Sequence, residues 1–336
     1  MQNREIILKS RPTGWPDQSH FESRDCVAPE IGDGELLIRS IYLSVDPYMR
    51  ARMNDVKSYI PSFQIGNVMD GGIVGQVIAS NNADYAEGDY VMGQLPWALI
   101  SKSDGKELHK VRPEVGKLSW YLGVLGMPGQ TAWVGLNAVA GLKEGDNVFV
   151  SGASGAVGQV VGQIAKSKGC YVVGSAGGKA KCDYLKEIGF DATIDYKSDV
   201  SVYHSMAEAC PNGIDVHFEN VGGPIFEAAL NQHNFGARVA LCGWISSYNT
   251  DIKEMPAGPR NIANMIGRGV MMKGFIVFQY MQEALEWIPI GAKMLTDGTL
   301  RYEETVVEGL ENAPQALIDM MQGKNLGKMI VKVADE

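Results

Sequence analysis

The chain has 336 residues, of which 45% are hydrophobic, and it carries a formal net charge of −9. This length suffices for about two domains with a large core, and the negative charge argues against nucleic acid or an anionic membrane surface as partner. No apolar run approaches transmembrane length, and the N-terminal residues lack the pattern of a signal peptide. The five cysteines are scattered without a CxxC motif, which is typical of buried thiols in a reducing compartment. We therefore expect a cytoplasmic globular protein.

The first part of the chain, residues 1–121, is rich in short β runs separated by turns. Three such runs are 35–39, 72–78 and 89–93. This pattern predicts a partly closed β-barrel domain. Near the other end, a predicted helix over 313–322 precedes a predicted strand over 328–333, and this tail could return to the first domain. We therefore assign 1–121 and 297–336 to one domain that binds the substrate.

The middle of the chain, residues 122–296, alternates apolar runs with helical patterns. The predicted strands cover 146–151, 171–176, 192–196, 214–220, 237–243 and 272–278. The predicted helices between them cover 159–166, 179–188, 200–209 and 224–231. This alternation predicts an α/β Rossmann domain, a doubly wound parallel sheet that binds a dinucleotide. A ligand of such a sheet is expected at the carboxyl ends of the parallel strands, in the cleft beside the first domain.

A glycine-rich turn, GASGAVG at 152–158, separates the first of these strands from its helix. Strand, turn and helix in this order let backbone N–H groups and the positive helix end receive a pyrophosphate. Glycine is needed because a Cβ atom would hold the phosphate away from the backbone. The alternative is a tight turn without a ligand. The strand and helix on either side favour the dinucleotide site.

The end of the second strand indicates which dinucleotide binds. NAD-specific folds place an acidic residue about 20 residues past the glycines, where it binds the ribose 2′-hydroxyl. Here the strand ends in small residues, and no acidic residue occurs between the end of this strand and Asp183. Lys179 and Lys181 lie in this segment and suit a 2′-phosphate, which predicts NADPH as the cofactor. The alternative is that both lysines only solvate the start of a helix.

Several separate motifs carry a family resemblance. They are DPYMR at 46–50, GMPGQTA at 126–132, the glycine turn, FENVGG at 218–223, CGWISSYN at 242–249 and NLGK at 325–328. With these motifs in order along nearly the whole length, the chain resembles the medium-chain dehydrogenase/reductase superfamily. Within it, the chain is similar to the zinc-independent prostaglandin reductase and alkenal/alkenone reductase group, especially its bacterial curcumin-reductase-like members. The resemblance implies an open β-barrel (GroES-like) catalytic domain, completed by the C-terminal tail, with the Rossmann domain inserted in it.

The resemblance also implies an activity. Members of this group reduce the C=C bond of α,β-unsaturated ketones or aldehydes with NADPH, by hydride transfer to the β-carbon through an enolate. Curcumin-type diarylheptanoids are one candidate substrate class. Two alternatives stay open, a zinc-independent quinone oxidoreductase on the same fold and a non-catalytic NADPH-binding protein.

The metal ligands of the zinc-dependent relatives are absent from this sequence. Alcohol dehydrogenases of the superfamily use a cysteine and a His-Glu pair in the first domain. Here the corresponding segments read SVDPY at 44–48 and DGG at 70–72, and none of the five histidines has ligand spacing to another His or Cys. We expect no metal. Without a Lewis acid the oxidation of an alcohol is hard, whereas reduction of an activated C=C bond needs only a hydride and a proton.

The resemblance assigns roles to individual residues. For catalysis it implies Tyr248, as hydrogen-bond donor to the enolate, and Tyr48. For cofactor binding it implies Met127, Gly155, Ala156, Val157, Gly158, Lys179, Lys181, Tyr196, Asn220, Cys242, Gly243, Ser247, Tyr248, Phe275, Ile276, Val277 and Asn325. For the substrate we expect Tyr48, Tyr59 and Phe63.

Some of these roles have structural alternatives. Tyr248 could only position the nicotinamide ribose, and Asn220 could cap a turn. Tyr59 and Phe63 could belong to the core. The resemblance also implies a homodimer, and residues 275–278 are a candidate edge strand that could pair across a two-fold axis.

Overall fold

The structure, a computed structural model, describes residues 1–251 and 253–336. The chain forms two compact units, one of residues 1–123 with 304–336 and one of residues 124–303. The second boundary lies later than the 296/297 predicted from sequence. Side chains of the second unit hold the intervening segment, because Gln163 accepts the N–H of Arg301 at 2.8 Å and Gln159 accepts the N–H of Glu303 at 2.9 Å.

The N-terminal part of the first unit is built from antiparallel strands. They are β1 (Gln2–Leu8), β2 (Phe21–Val27), β3 (Leu36–Ser44), β4 (Asp70–Ser80), β5 (Tyr90–Pro96), β6 (Ile100–Ser103) and β7 (His109–Lys110). β1 and β2 form a two-stranded sheet of their own. A short helix, α1 (Tyr48–Arg52), follows β3. The predicted runs at 35–39, 72–78 and 89–93 lie in β3, β4 and β5, which extend beyond them.

The second unit contains a six-stranded sheet in which every neighbouring pair is parallel. Its strands are β8 (Asn147–Val150), β9 (Tyr171–Ala176), β10 (Ala192–Asp195), β11 (Ile214–Glu219), β12 (His233–Leu241) and β13 (Met271–Gly274). The helices are α2 (Met127–Val134), α3 (Gly158–Ser167), α4 (Lys179–Glu187), α5 (Val202–Ala209), α6 (Gly223–Leu230), α7 (Asn264–Arg268) and α8 (Met281–Thr296). The strand order is β10-β9-β8-β11-β12-β13. From β8 the chain adds strands outward on one side, and from β11 it adds them outward on the other side, so the topological switch point of a Rossmann fold lies between β8 and β11. The predicted fold is confirmed.

The sixth strand is shorter than predicted. It ends at Gly274, and residues 277–280 form a 3-10 helix instead of an edge strand. The reason is burial, because the ring of Phe275 packs edge-on against that of Phe218 with centroids 6.2 Å apart. Gly135 makes room for both rings, since a Cβ atom there would lie within 2.8 Å of each.

The C-terminal tail completes the sheet of the first unit. It contains β14 (Glu304–Glu308), α9 (Ala313–Met321) and β15 (Lys328–Lys332). β15 pairs antiparallel with β3, and the main path of the sheet runs β14-β15-β3-β4-β5-β7, with β6 paired to β3. Across the described chain, no helix has both the length and the apolarity needed to cross a membrane.

Candidate functional site

The glycine turn joins β8 to α3 at the switch point of the parallel sheet. Gly152 has a φ of +59°, and a Cβ atom on Gly158 would lie 2.6 Å from the Gly152 carbonyl oxygen. Glycine at both positions therefore lets the helix begin directly against the turn. No side chain caps α3 at Val157, and from Gln159 onward the helix N–H groups donate to the carbonyls of Gly155 and Val157. A close turn before a helix N-terminus is the arrangement that binds a pyrophosphate, and binding by Gly155, Ala156, Val157 and Gly158 stays a prediction.

A buried carboxylate, which the sequence reasoning missed, shapes the turn after β11. Oε1 of Glu219 accepts hydrogen bonds from the Ser151 hydroxyl at 2.7 Å, from the Val221 N–H at 2.5 Å and from the Gly222 N–H at 2.7 Å. Oε2 lies 2.7 Å from Nε2 of His217. Burial raises the pKa of Glu219, but the charge of His217 and these hydrogen bonds outweigh it, so the pKa is lowered overall. The signal in the sequence was a strand, IDVHFE at 214–219, in which Asp, His and Glu alternate with apolar residues.

Asn220 is fastened to the same turn. Its backbone N–H donates to the Ser151 hydroxyl oxygen and its side-chain nitrogen donates to the Ser151 carbonyl, both at 2.7 Å. The amide nitrogen is thus used within the protein, as the turn-capping alternative expects. Contact of Asn220 with the cofactor through its amide oxygen stays a prediction.

The segment after β12 lies beside this turn. The N–H groups of Cys242 and Gly243 donate to the Glu219 carbonyl at 2.9 and 3.0 Å. The Tyr248 hydroxyl accepts the N–H of Trp244 at 3.3 Å, and burial raises the pKa of Tyr248. A Cβ atom on Gly243 would lie 3.1 Å from the Asn220 carbonyl oxygen and 3.6 Å from the Tyr248 hydroxyl. The structure therefore brings together Asn220, Gly243 and Tyr248, at the carboxyl ends of β11 and β12.

The other residues predicted to bind the cofactor in this part of the chain are mostly buried or hydrogen-bonded within the protein. Burial and the charge of Glu219 raise the pKa of the Cys242 thiol to about 12, so this thiol is not an activated nucleophile. The Ser247 hydroxyl donates to the Trp244 carbonyl at 3.2 Å. Phe275 and Val277 are buried, with Ile276 between them, and Met127 begins α2.

The expected 2′-phosphate residues do not all lie together. β9 ends at Ala176, and α4 begins at Lys179. The Lys179 side chain is 86% exposed and its Nζ lies 2.5 Å from Asp183 Oδ2, so it is directed along its own helix. Lys181 is half-buried. The Tyr196 hydroxyl approaches the turn after β9, because a Cβ atom on Gly177 would lie 2.7 Å from it.

In the first unit, Tyr48 begins α1 and is surrounded by charged groups. Burial raises the pKa of Tyr48, the negative charge of Asp46 acts in the same direction, and a hydrogen bond with Gln94 opposes both. Gln94 also donates to Asp70 at 2.6 Å, and the guanidinium of Arg52 holds both oxygens of Asp70. Tyr48 thus lies at the end of a polar network within this unit.

The two aromatic residues expected near the substrate differ in exposure. Phe63 is 4% exposed, and the guanidinium carbon of Arg52 lies 3.9 Å from the centre of its ring. This packing favours the core alternative for Phe63. Tyr59 is 57% exposed.

In the tail, the side-chain nitrogen of Asn325 donates to the Gly327 carbonyl at 2.6 Å, so Asn325 stabilises the turn before β15.

Segments 44–48 and 70–72, which lack the cysteine and the His-Glu pair, contain two carboxylates that already have partners. The carboxylate of Asp46 accepts hydrogen bonds from the ammonium of Lys328 and the hydroxyl of Ser44. The carboxylate of Asp70 forms an ion pair with Arg52. Within residues 1–251 and 253–336, no group of three or more His, Cys, Asp or Glu side chains could hold a metal ion.

Two family models match the chain. The model described as the N-terminal domain of oxidoreductase matches residues 4–111, and the model described as zinc-binding dehydrogenase matches residues 156–289. The name of the second model refers to zinc, but the described residues contain no cluster of His, Cys, Asp or Glu side chains that could bind it.

Full-length relatives and a solved structure are similar to the chain. The NADPH-dependent curcumin reductase of Escherichia coli is 43% identical, covering 100% of this chain and 98% of the relative. The 2-alkenal reductase (NADP⁺-dependent) of Nicotiana tabacum is 40% identical, with 100% and 99% covered. The crystal structure of CurA in complex with NADPH from Vibrio vulnificus superimposes with a TM-score of 0.93 at 44% identity, with 99% and 100% covered. The chain therefore belongs to the medium-chain dehydrogenase/reductase family.

Proposed function

We propose that the protein is an NADPH-dependent reductase of the C=C bond in α,β-unsaturated ketones and aldehydes, with curcumin-type diarylheptanoids as a candidate substrate class. The observation that carries this proposal is the full-length similarity to reductases named for curcumin and 2-alkenal, at 43% and 40% identity. The glycine cradle at Gly152 and Gly158 supports a dinucleotide as cofactor.

The second unit supplies the residues that would hold NADPH. The N–H groups at the start of α3 would receive the pyrophosphate, and Lys181 with Tyr196 would receive the 2′-phosphate. The segment from Cys242 to Tyr248 and the turn at Asn220 would line the nicotinamide half. When bound, NADPH supplies the hydride for the reduction.

The chain contributes hydrogen-bond donors and shape to the reaction. As the β-carbon is reduced, negative charge develops on the carbonyl oxygen of the substrate, and a donor placed there stabilises it. Tyr248 is our first candidate, because its hydroxyl is oriented by the Trp244 N–H at 3.3 Å and can still donate its own proton. Tyr48 is the second candidate. Water or a hydroxyl then protonates the α-carbon.

The proposal is tested by NADPH consumption against a panel of enals, enones, diarylheptanoids and quinones, with product masses. We expect an enone to give the saturated ketone, about two mass units heavier with unlabelled NADPH and about three with C4-deuterated NADPH, with the deuterium at the β-carbon. An allylic alcohol with deuterium on the carbonyl carbon would contradict the reaction. Turnover of quinones alone would favour a quinone oxidoreductase, and tight NADPH binding without any turnover would favour a non-catalytic protein.

We also propose a homodimer, formed through the edge strand β13 and the exposed Phe278 beyond it, since residues 275–278 do not form the edge strand themselves. β13 is the last strand of the parallel sheet, and its four residues are exposed. Met271 on this strand is 50% exposed, and Phe278 just beyond it is 63% exposed. An unpaired apolar edge of this kind favours pairing with a second copy. Light scattering should give the dimer mass for the wild type and a smaller mass for Met271→Arg/Phe278→Arg, whereas a monomeric wild type would refute the proposal.

Residence in the cytoplasm is a further part of the proposal. It rests on the thiols, since Cys26, Cys170, Cys182, Cys210 and Cys242 are all unpaired with one another, and disulfides persist mainly in oxidising compartments. Cell fractionation with the protein at its natural level would test it, and recovery in an extracytoplasmic fraction would refute it.

A further inference from the structure

Two turns meet at the carboxyl ends of neighbouring strands in the second unit. Gly177 and Gly178 follow β9, and Tyr196 and Lys197 follow β10. The carboxylate of Asp195 connects them, because its Oδ1 accepts the N–H of Gly178 at 2.8 Å and the N–H of Lys197 at 2.9 Å. The relative position of the two turns is therefore fixed by one side chain.

Side chains from the β10 turn converge on the glycines of the β9 turn. A Cβ atom on Gly177 would lie 2.7 Å from the Tyr196 hydroxyl and 3.0 Å from Cε of Lys197. Glycine at this position thus leaves room for the Tyr196 hydroxyl and for the end of the Lys197 side chain. The hydroxyl and the ammonium of these two residues are both groups that bind phosphate oxygens.

Lys181 and Lys197 act on each other electrostatically across this space. Burial lowers the pKa of Lys181, and the positive charge of Lys197 lowers it further. Two ammonium groups in this arrangement repel each other, and an anion between them removes the repulsion. The carboxylate of Asp195 at the base of the turns would itself repel a phosphate, so one lysine alone would leave little net positive charge here.

Lys179 does not share this surface. Its ammonium is paired with Asp183, one turn further along α4, at 2.5 Å. A lysine engaged in this way would have to leave its partner in order to contact a ligand. The geometry separates the two lysines that the sequence placed together on α4, and it brings in Lys197 from the turn after β10.

We propose that Lys197 is the second cation of the NADPH 2′-phosphate site, acting with Lys181 and the Tyr196 hydroxyl, and that Lys179 is not part of this site. The inference rests on the proposed use of NADPH, and it names the residue that adds selectivity for the phosphorylated cofactor. NADH lacks the 2′-phosphate, so the contribution of Lys197 appears only with NADPH.

The experiment measures the Kd of NADPH and of NADH by titration calorimetry, without substrate. Lys197→Ala should raise the Kd of NADPH about tenfold, the effect of one hydrogen bond to a charged group, and change the Kd of NADH less than twofold. Lys179→Ala is the matched control and should change neither. Lys181→Ala is the reference variant, and it should raise the Kd of NADPH, but not that of NADH, by about ten- to a hundredfold. Lys197→Arg should retain most of the affinity.

The outcomes separate this inference from the proposed function. If the wild type binds NADPH no more tightly than NADH, the cofactor assignment itself fails. If the wild type prefers NADPH and Lys197→Ala leaves that preference unchanged, only the role of Lys197 is refuted. Equal losses for NADPH and NADH would show a general effect on the turn and would also refute it. A larger loss in Lys179→Ala than in Lys197→Ala would restore the assignment made from sequence.

Discussion

The ammonium of Lys328 lies 3.1 Å from Oδ1 of Asp46, and both side chains are buried. The same ammonium donates to the carbonyls of Val45 at 2.7 Å and Met329 at 3.0 Å. Lys328 is the first residue of β15, and Asp46 lies in the loop that leads into α1. The C-terminal strand is therefore fastened to the loop that carries Tyr48, by a charged pair 282 residues apart in the chain.

Removing one partner of this pair should destabilise the protein strongly. Lys328→Met leaves the carboxylate of Asp46 buried without its cation, and this change typically costs about 3–5 kcal/mol. Urea denaturation measures the loss. Lys293→Met, which removes an exposed ion pair on α8, is the control and should have little effect. Asp46→Asn combined with Lys328→Met should recover part of the loss, and failure to recover any would show that packing rather than charge is responsible.

The hydroxyl of Tyr248 should matter for turnover rather than for cofactor binding. If it stabilises the developing enolate, Tyr248→Phe lowers kcat by about 10²–10³, the usual cost of losing one such donor. The Kd of NADPH should change much less, because the residues that we propose for the pyrophosphate and the 2′-phosphate lie elsewhere. Steady-state kinetics and calorimetry measure the two quantities. Tyr203→Phe, which removes a hydroxyl bound to Glu227 at 3.1 Å, is the control. An unchanged kcat in Tyr248→Phe would pass the donor role to the ribose hydroxyl, Tyr48 or water.

The stability of the protein should fall in mild acid because of a buried histidine. Burial lowers the pKa of His233 to about 3, and the charges of His217 and Arg268 act in the same direction. The unfolded chain binds this proton near pH 6.5, whereas the folded chain stays neutral, so stability is complete above pH 6.5 and declines toward pH 3. The loss at pH 5 is roughly 2 kcal/mol.

Urea denaturation between pH 5 and 8 tests this prediction. His233→Gln keeps a polar group near His217, whose Nδ1 lies 3.1 Å from Nε2 of His233, and removes the titrating ring. Its stability should therefore decline less steeply between pH 6.5 and 5 than that of the wild type. His204→Gln, at an exposed histidine on α5, is the control. Equal slopes for His233→Gln and the wild type would contradict the assignment.

Activity should not depend on zinc. In the segments 44–48 and 70–72, which lack the cysteine and the His-Glu pair of zinc-dependent relatives, the carboxylates of Asp46 and Asp70 are paired with Lys328 and Arg52. Elemental analysis of the purified protein should give well under one zinc per chain, and chelators should leave turnover intact. One zinc per chain together with chelator-sensitive turnover would overturn the prediction.

The sequence by itself determined the type and order of most elements. The alternation of apolar runs and helical patterns predicted the six-stranded parallel sheet, and the turn at 152–158 predicted the dinucleotide cradle. These features are encoded locally, because hydrophobic periodicity and the backbone freedom of glycine depend on neighbouring residues only.

Only the tertiary structure decided which side chains meet. It turned residues 275–278 out of the edge strand, because burial of the Phe275 ring against Phe218 overrode the β pattern. It directed Lys179 toward Asp183 and brought Lys197, from the turn after β10, within electrostatic reach of Lys181. It also joined Lys328 to Asp46 and placed Glu219 among buried donors. Such partners lie far apart in sequence, and pairing across a sheet or between turns is set by register and packing, which no local pattern contains.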